Sequence, residues 1–330
     1  MKSNLSRREF VSRSAVLPFA AKAALAAQDD TALPIIDTHM HLFDKTRPEG
    51  APYPPSVPGG GEPRQGMISL PNRYKAIVTP LGVVGAIVVE ASPRLEDNQW
   101  TLDQAANAPV IVGYVGRLDP GDPAFGANLS RFRQNKLFLG TRQGRLELGL
   151  DKPDYVANLA LLANAGCSLD VDTPRHGGSD PEVVVKLLDK VPSLRIVMDH
   201  LPDVPFPAFF PDSASRNNYV AHLRELGKRP QVYIKLSEVV HKSGEKVSTD
   251  LAMYKDWLDE LWSIFGEDRV MFGSDWPQSE TQEFNSYPNV IKVARSYVQT
   301  KGPEAMDKVF WKNSVKQYRW IKRDPNQRQS

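Results

Sequence analysis

The sequence of 330 residues contains a single cysteine, Cys167, so an internal disulfide is excluded and cysteine content does not indicate a redox compartment. The chain also lacks a large net charge, because it has 41 lysines and arginines and 39 aspartates and glutamates. A basic face for nucleic acid is therefore not expected. Beyond the N-terminal region no apolar run is long enough to cross a bilayer, which argues against stable membrane insertion.

The N-terminal 26 residues resemble a bacterial twin-arginine export signal. Arg7 and Arg8 lie in the sequence Ser-Arg-Arg-Glu-Phe, and a mild apolar run from Ala15 to Ala27 follows. Ala24-Leu25-Ala26 places small residues where a signal peptidase would cut. We expect residues 1–26 to be a signal peptide and the mature protein to be periplasmic or secreted. A disordered basic tail is the alternative.

From Ile35 onward, short β-branched runs alternate with longer helical segments. Eight runs are predicted as strands, and they begin at Ile35, Gly85, Val110, Leu137, Cys167, Leu194, Val232 and Arg269. Each strand–helix unit takes about 30 residues, the size of a βαβ repeat. Eight such units predict an α/β fold, the closed (β/α)8 TIM barrel. A doubly wound open sheet is the alternative, but its Gly-rich first turn is replaced here by His-Met-His.

Active sites of parallel barrels are built at the shared mouth formed by the C-terminal ends of the strands. The first strand ends in His39 and His41, which point to the same side because strand side chains alternate. Imidazole binds divalent metals and also donates to a polarised carbonyl. Most other strands also end in polar side chains, namely Glu90, Arg142, Asp172, His200, Lys235 with Ser237, and Asp275. A Pro- and Gly-rich stretch, Arg47 to Pro71, is predicted as a long loop covering this mouth, or else as a surface insertion.

Three motifs together resemble the amidohydrolase superfamily, in its amidohydrolase-related branch that holds sugar lactonases and 2-pyrone-4,6-dicarboxylate hydrolase. They are Ile-Asp-Thr-His-Met-His at strand one, Val-Met-Asp-His-Leu-Pro at strand six, and Phe-Gly-Ser-Asp-Trp-Pro at strand eight. The resemblance covers about residues 33–322 and implies a distorted barrel that hydrolyses a cyclic ester. It also implies that Asp275 activates water, that His39, His41 and His200 surround the carbonyl oxygen or a metal, and that Arg142 reads the substrate.

One departure from the metal-rich members of that superfamily concerns the fourth and fifth strands. The fourth strand ends in Gly140-Thr141-Arg142 instead of a bridging lysine or carboxylate, and the fifth strand lacks a histidine. A two-metal site is therefore not expected. The sequence leaves two alternatives: one divalent ion such as zinc, held by His39, His41 and Asp275, or none.

Further side chains are predicted to contact the substrate. Arg175 would help Arg142 to hold a carboxylate or vicinal hydroxyls, and Glu90, His176 and Trp276 would complete the binding site. Core packing is the alternative for Trp276, and ion pairing is the alternative for Glu90. His222 and His241 are predicted to be surface residues.

The sequence thus predicts an exported hydrolase that acts on a small molecule, a sugar lactone or related cyclic ester. Two alternatives stay open: a metal-dependent amide hydrolase or decarboxylase on the same barrel, and a barrel that binds a sugar acid without turnover. The sequence does not decide whether the chain forms a homo-oligomer.

Overall fold

The computed structural model describes residues 33–51, 68–203, 210–240, 242–243, 246–280 and 286–329. The predicted signal peptide, most of the Pro-rich loop and His241 lie outside these residues. Within them, eight parallel strands form one sheet in the order of the chain. The strands are β1 (Ile35–Met40), β2 (Val83–Val89), β3 (Ile111–Gly116), β4 (Phe138–Gln143), β5 (Ser168–Val171), β6 (Arg195–Met198), β7 (Val232–Leu236) and β8 (Val270–Phe272). The predicted (β/α)8 barrel is confirmed.

The barrel closes where β8 meets β1, just past the end of β8. The amide of Asp275 donates to the carbonyl oxygen of His39 at 2.8 Å, and the amide of His41 donates to that of Trp276 at 2.8 Å. The hydroxyl of Thr38 adds a bond to the carbonyl oxygen of Phe272 at 2.7 Å. These three bonds align the two strand ends that carry the strongest sequence motifs.

Buried hydrogen bonds to Asp37 support the same seam. One carboxylate oxygen accepts from Tyr74 at 2.8 Å, from Tyr287 at 2.9 Å and from the Ser274 hydroxyl at 2.6 Å. The other oxygen accepts from the amide of Ser274 at 2.8 Å and from the amide of His39 at 3.1 Å. Burial raises the pKa of Asp37, although the bonds from Ser274 oppose this shift. Asp37 therefore joins β1, the Ser274 turn and two outer helices.

Helices connect the strands and pack on the outside of the sheet. They are α1 (Pro71–Val78), α2 (Asp97–Ala106), α3 (Phe125–Arg133), α4 (Pro153–Asn164), α5 (Pro181–Lys190), α6 (Ser213–Gly227), α7 (Lys255–Phe265), α8 (Tyr287–Gln299), α9 (Pro303–Asp307) and α10 (Asn313–Tyr318). Proline stands in the first turn of α4 and α5, where its missing N–H costs nothing. None of the described helices is long and apolar enough to span a bilayer.

Two helix starts have a local cause. α6 begins at Ser213 because the Asp212 side chain caps it by accepting from the amide of Ser215. α7 is preceded by a 3₁₀ turn at Leu251–Met253, which the Asp250 side chain caps by accepting from the amide of Ala252.

The core has two layers. One lies between the sheet and the helices, and the other fills the barrel interior with side chains such as Ile36, Ile87 and Val112. The C-terminal segment belongs to the inner layer, because Trp311, Tyr318 and Trp320 pack on those strand residues. The C-terminal ends of the strands form the mouth of the barrel.

Candidate active site

His41 and Asp275 form the central contact at the mouth. The Nδ1 atom of His41 lies 3.0 Å from the Val89 carbonyl oxygen and 3.1 Å from that of Glu90. Because a carbonyl only accepts, Nδ1 carries a proton, and in the tautomer with that single ring proton Nε2 presents a lone pair. That Nε2 lies 3.1 Å from Oδ1 of Asp275. A lone pair facing a carboxylate oxygen calls for a proton or a cation between them.

Burial raises the pKa of Asp275, although the hydrogen bond with His41 opposes the shift. The Asp275 backbone has a left-handed φ of 54°, and His200 and Glu238 share this conformation with φ of 49° and 56°. Such backbone is uncommon outside glycine and costs free energy, and residues of this kind cluster at functional sites. All three follow the C-terminal ends of β strands and turn their side chains into the same mouth.

His39 lies beside this pair, with Nε2 at 3.7 Å from Oδ1 of Asp275. Its Nδ1 lies 3.2 Å from Nζ of Lys235 and 3.4 Å from Oδ1 of Asp199. Burial and the charge of Lys235 lower the pKa of His39 well below its usual value, although Asp199 opposes them. The ring is therefore neutral. If Nδ1 accepts a hydrogen bond from Lys235, the ring proton lies on Nε2. If Nδ1 instead donates to Asp199, Nε2 carries a lone pair.

His200 completes the histidine group, with its ring centroid 4.6 Å from that of His39. Its Nε2 lies 3.4 Å from Nη2 of Arg142, and its Nδ1 lies 3.2 Å from Oγ of Ser237. Burial lowers the pKa of His200 well below its usual value, with Glu238 opposing the shift. A neutral ring that accepts from Arg142 donates through Nδ1 to Ser237.

A buried charge network lies beneath the histidines. Nζ of Lys235 lies 2.7 Å from Asp170 and 3.0 Å from Asp199, and all three side chains are completely buried. Arg142 donates to Asp199 at 3.0 Å and pairs with Asp172 at 2.9 Å. Burial works against the charged form of Arg142, but Asp172 and Asp199 raise the pKa of its guanidinium. Arg142 thus lies at the predicted site, but two carboxylates already hold its guanidinium, and substrate reading by it stays a prediction.

Arg175 and His176 lie together at the rim with Glu238. Arg175 pairs with Glu238 and lies 3.3 Å from Asp203, and Nε2 of His176 lies 3.3 Å from Glu238. Burial alone would lower the pKa of His176, but Glu238 raises it to about 9. The His176 ring centroid is 4.8 Å from that of His200, so this loop histidine does reach the site.

Glu90, Trp276 and His222 also carry sequence-based predictions. Glu90 lies at the rim, where one carboxylate oxygen accepts from the amide of Ser92 at 3.0 Å. Trp276 is completely buried, and its ring packs 5.2 Å from that of Tyr74 and under the Arg73 guanidinium. Trp276 thus packs in the core, whereas the Asp275 side chain lies in the mouth beside His41. This placement favours the packing alternative for Trp276. His222 on α6 is partly buried and not fully at the surface as expected.

Several site residues were not assigned a role from the sequence. Asp170 and Asp199 hold Lys235, whereas Glu238 and Asp203 hold Arg175. Asp170 lies two positions before Asp172, and Glu238 directly follows Ser237. Their positions at the ends of predicted strands were therefore a signal from which both could have been predicted.

The side chains of His39, His41 and Asp275 fit a divalent ion. One ligand atom from each lies within 4.8 Å of the others, and all three are buried. In the part of the chain that the structure describes, Nε2 of His39 is buried without a hydrogen-bond partner. A second group, His176, His200 and Glu238, meets the same distance limit. Arg175 already pairs with Glu238, which makes this second group less suited to a cation.

Comparison with known proteins gives one family and several relatives. The family model for amidohydrolases matches residues 36–320. An L-fucono-1,5-lactonase of Burkholderia ambifaria is 27% identical over 293 residues, which cover 86% of this chain and 95% of that protein. A D-galactarolactone isomerase of Agrobacterium fabrum is 24% identical over 277 residues, 78% of this chain and 82% of that protein.

Solved structures share the fold. An amidohydrolase from Burkholderia multivorans with bound zinc superposes with a TM-score of 0.72 at 22% identity, over 87% of this chain and 99% of that chain. A probable 2-pyrone-4,6-dicarboxylic acid hydrolase from Acinetobacter baumannii gives a TM-score of 0.64 at 16% identity, over 86% and 98%. At these identities the likeness concerns the barrel alone.

Proposed function

Because the chain belongs to the amidohydrolase family, we propose that it hydrolyses the ester bond of a lactone ring, with Asp275 as the base that activates water. The observation that carries the proposal is the 3.1 Å contact between Nε2 of His41 and Oδ1 of Asp275, with His39 directly beside it. The relative named as an L-fucono-1,5-lactonase, at 27% identity, supports the choice of substrate.

The first half of the reaction places water between Asp275 and the lactone carbonyl. Asp275 takes a proton from the water, whose oxygen bonds to the carbonyl carbon. The carbonyl oxygen gains negative charge, and the Nε2–H of His39, in the tautomer whose Nδ1 accepts from Lys235, stabilises it in a site from which solvent is largely excluded. The Val89 and Glu90 carbonyl oxygens hold the His41 ring beside Asp275, and Lys235 and Asp199 hold the His39 ring.

The second half opens the ring. The bond between the carbonyl carbon and the ring oxygen breaks, and Asp275 returns its proton to the alkoxide that leaves. The product is a hydroxy acid, which ionises at neutral pH and releases one proton per turnover.

A divalent ion fits the same pocket, held by His39, His41 and Asp275. Such an ion would supply Lewis-acid polarisation of the carbonyl. A site that holds the ion and a site in which His39 donates to the carbonyl oxygen require different His39 tautomers. Metal binding needs a lone pair on Nε2, whereas hydrogen-bond donation needs a proton there.

The experiment is a screen of purified protein against sugar 1,4- and 1,5-lactones in weak buffer with a pH indicator, with metal analysis of the same sample. Proton release that depends on protein concentration, together with a hydroxy acid identified by mass spectrometry, supports the proposal. Binding of lactones or sugar acids without proton release contradicts it.

Export is a further part of the proposal, supported by Arg7 and Arg8 and the apolar run after them. Expression of the full chain in a bacterium with and without its twin-arginine machinery tests it. We expect a shortened protein in the periplasmic fraction only when the machinery is present, and lysine replacement of Arg7 and Arg8 should retain the protein in the cytoplasm. Unprocessed protein in both strains would contradict this part.

A further inference from the structure

We infer that Arg117 and Glu90 together bind neighbouring ring hydroxyls of an uncharged lactone, so that Arg117 determines substrate specificity. This inference rests on the proposed lactone hydrolysis and adds the substrate class. Arg117 directly follows β3, the strand for which the sequence suggested no site residue.

Three other cations in the described part of the mouth are already paired with carboxylates. Lys235 contacts Asp170 and Asp199, and Arg142 contacts Asp199 and Asp172. Arg175 contacts Glu238 and Asp203. A substrate with two carboxylates would have to displace these buried partners, and separating a buried ion pair is costly. The pocket therefore suits a substrate without charge.

Arg117 differs from these cations in its surroundings. Its Nη1 lies 3.9 Å from Oε1 of Glu90, which is beyond hydrogen-bond distance, and its side chain is 36% exposed. Among the described residues, the guanidinium thus keeps its donors available at the rim.

The backbone of Arg117 is held in place independently of its side chain. The Arg117 amide donates to the side-chain oxygen of Asn98 at 2.8 Å, and the Asn98 amide group donates to the Arg117 carbonyl oxygen at 2.9 Å. Asn98 is itself buried and accepts from Tyr114 at 3.0 Å. Replacement of the Arg117 side chain should therefore leave the end of β3 in place.

The position of the Arg117 guanidinium is given by its neighbour Glu90. A Cβ on Gly116 would meet Asn98, Phe138 and Tyr114, which lie on the helix side of the sheet. Nη1 of Arg117 lies instead 3.9 Å from Oε1 of Glu90 at the rim of the mouth.

Glu90 links Arg117 to the reacting groups. Its carbonyl oxygen holds the His41 ring at 3.1 Å, and that ring contacts Asp275. Its side chain is only 13% exposed, and its Oε1 is directed at Arg117. The charge of Glu90 also raises the pKa of Arg142, after the larger effects of burial, Asp172 and Asp199. Glu90 therefore lies between Arg117 and the pair formed by His41 and Asp275.

The pair has the chemistry that a diol needs. A guanidinium only donates and a carboxylate only accepts, whereas a hydroxyl does both. Two hydroxyls on adjacent ring carbons can therefore accept from Arg117 and donate to Glu90. A carboxylate on the substrate would instead be repelled by Glu90.

Three purified proteins test the inference: wild type, Arg117→Ala, and Arg131→Ala as a control at a surface ion pair on α3. The substrates are the best aldono-1,5-lactone of the screen, δ-valerolactone, which has the same ring without hydroxyls, and a lactone with two carboxylates. Arg117→Ala should lower kcat/KM about 10- to 100-fold for the aldonolactone, mainly through KM, and less than twofold for δ-valerolactone. Wild type should turn over the dicarboxylate at least about tenfold less efficiently than the aldonolactone.

Equal losses on both uncharged lactones, no loss, or a preference for the dicarboxylate would overturn the inference while lactone hydrolysis stands. If wild type hydrolyses no lactone, the proposed function and this inference both fall. Arg117→Lys covers a poorly folding alanine variant, because it keeps the charge but loses the paired donors. Arg117→Lys should lose less kcat/KM on the aldonolactone than Arg117→Ala does. If kcat/KM for both lactones is unchanged in both variants, the inference is wrong.

Discussion

The amide of Asp275 donates to the carbonyl oxygen of His39 at 2.8 Å, although the two residues lie 236 positions apart in the chain. This backbone bond closes the barrel and at the same time brings the carboxylate of one residue beside the imidazole of the other. Closure of the fold and assembly of the site are thus one structural event. Substitutions that weaken the seam should affect stability and activity together.

Asp37→Asn tests that link. The neutral amide loses charge-assisted bonds from Tyr74, Tyr287 and Ser274, each worth about 1.5–3 kcal/mol when it is made to a charged group. We expect the free energy of unfolding, measured by urea denaturation, to fall by at least the contribution of one such bond, about 1.5 kcal/mol. We expect kcat/KM to fall as well. Tyr287→Phe should cost less because it removes one donor. A fully stable and fully active Asp37→Asn variant would contradict this account of the seam.

Lys235→Met tests the buried charge network. Removal of the ammonium leaves Asp170 and Asp199 buried without their cation, a change that costs about 3–5 kcal/mol. The matched control is Lys186→Met, which removes an exposed pair with Glu182 and should change stability by less than about 0.5 kcal/mol. Equal unfolding midpoints for the two variants would show that Lys235 is not structurally required.

His176 gives a pH-dependent prediction. Its pKa is about 9 in the folded protein, above the usual value of 6.5, so the folded state binds the proton more tightly. The resulting stabilisation is complete below about pH 6.5 and is lost as pH rises through about 9. Unfolding free energies at intervals from pH 6 to 10 should therefore decline for wild type, and His176→Gln should decline less. Parallel curves would contradict the assignment.

Trp276→Phe separates packing from substrate contact. The ring is completely buried against Tyr74, so the substitution should lower the free energy of unfolding by about 1–2 kcal/mol. The kcat/KM of the folded variant should stay within about twofold of wild type. Unchanged stability with a large rise in KM would restore the sequence-based prediction that Trp276 contacts the substrate.

The barrel and the ends of its strands could be predicted because an apolar run followed by a polar residue is a local signal. The partners of the site residues could not, because no local pattern relates Lys235 to Asp170, which lie 65 positions apart. Asp199 stood beside a recognised histidine, yet its contacts with Lys235 and Arg142 exist only in the folded chain. The packing of Trp276 on Tyr74 could not be predicted either, because the direction of a side chain beyond the end of a strand depends on the local backbone conformation.

The most direct measurement is kcat/KM of Asp275→Asn on the best lactone, beside Asp151→Asn as an exposed control. Asparagine keeps the shape of the side chain but cannot take a proton from water. We expect a fall of about 10²- to 10⁴-fold for Asp275→Asn, with unchanged circular dichroism and no fall for the control. A folded Asp275→Asn variant with the turnover of wild type would contradict the account.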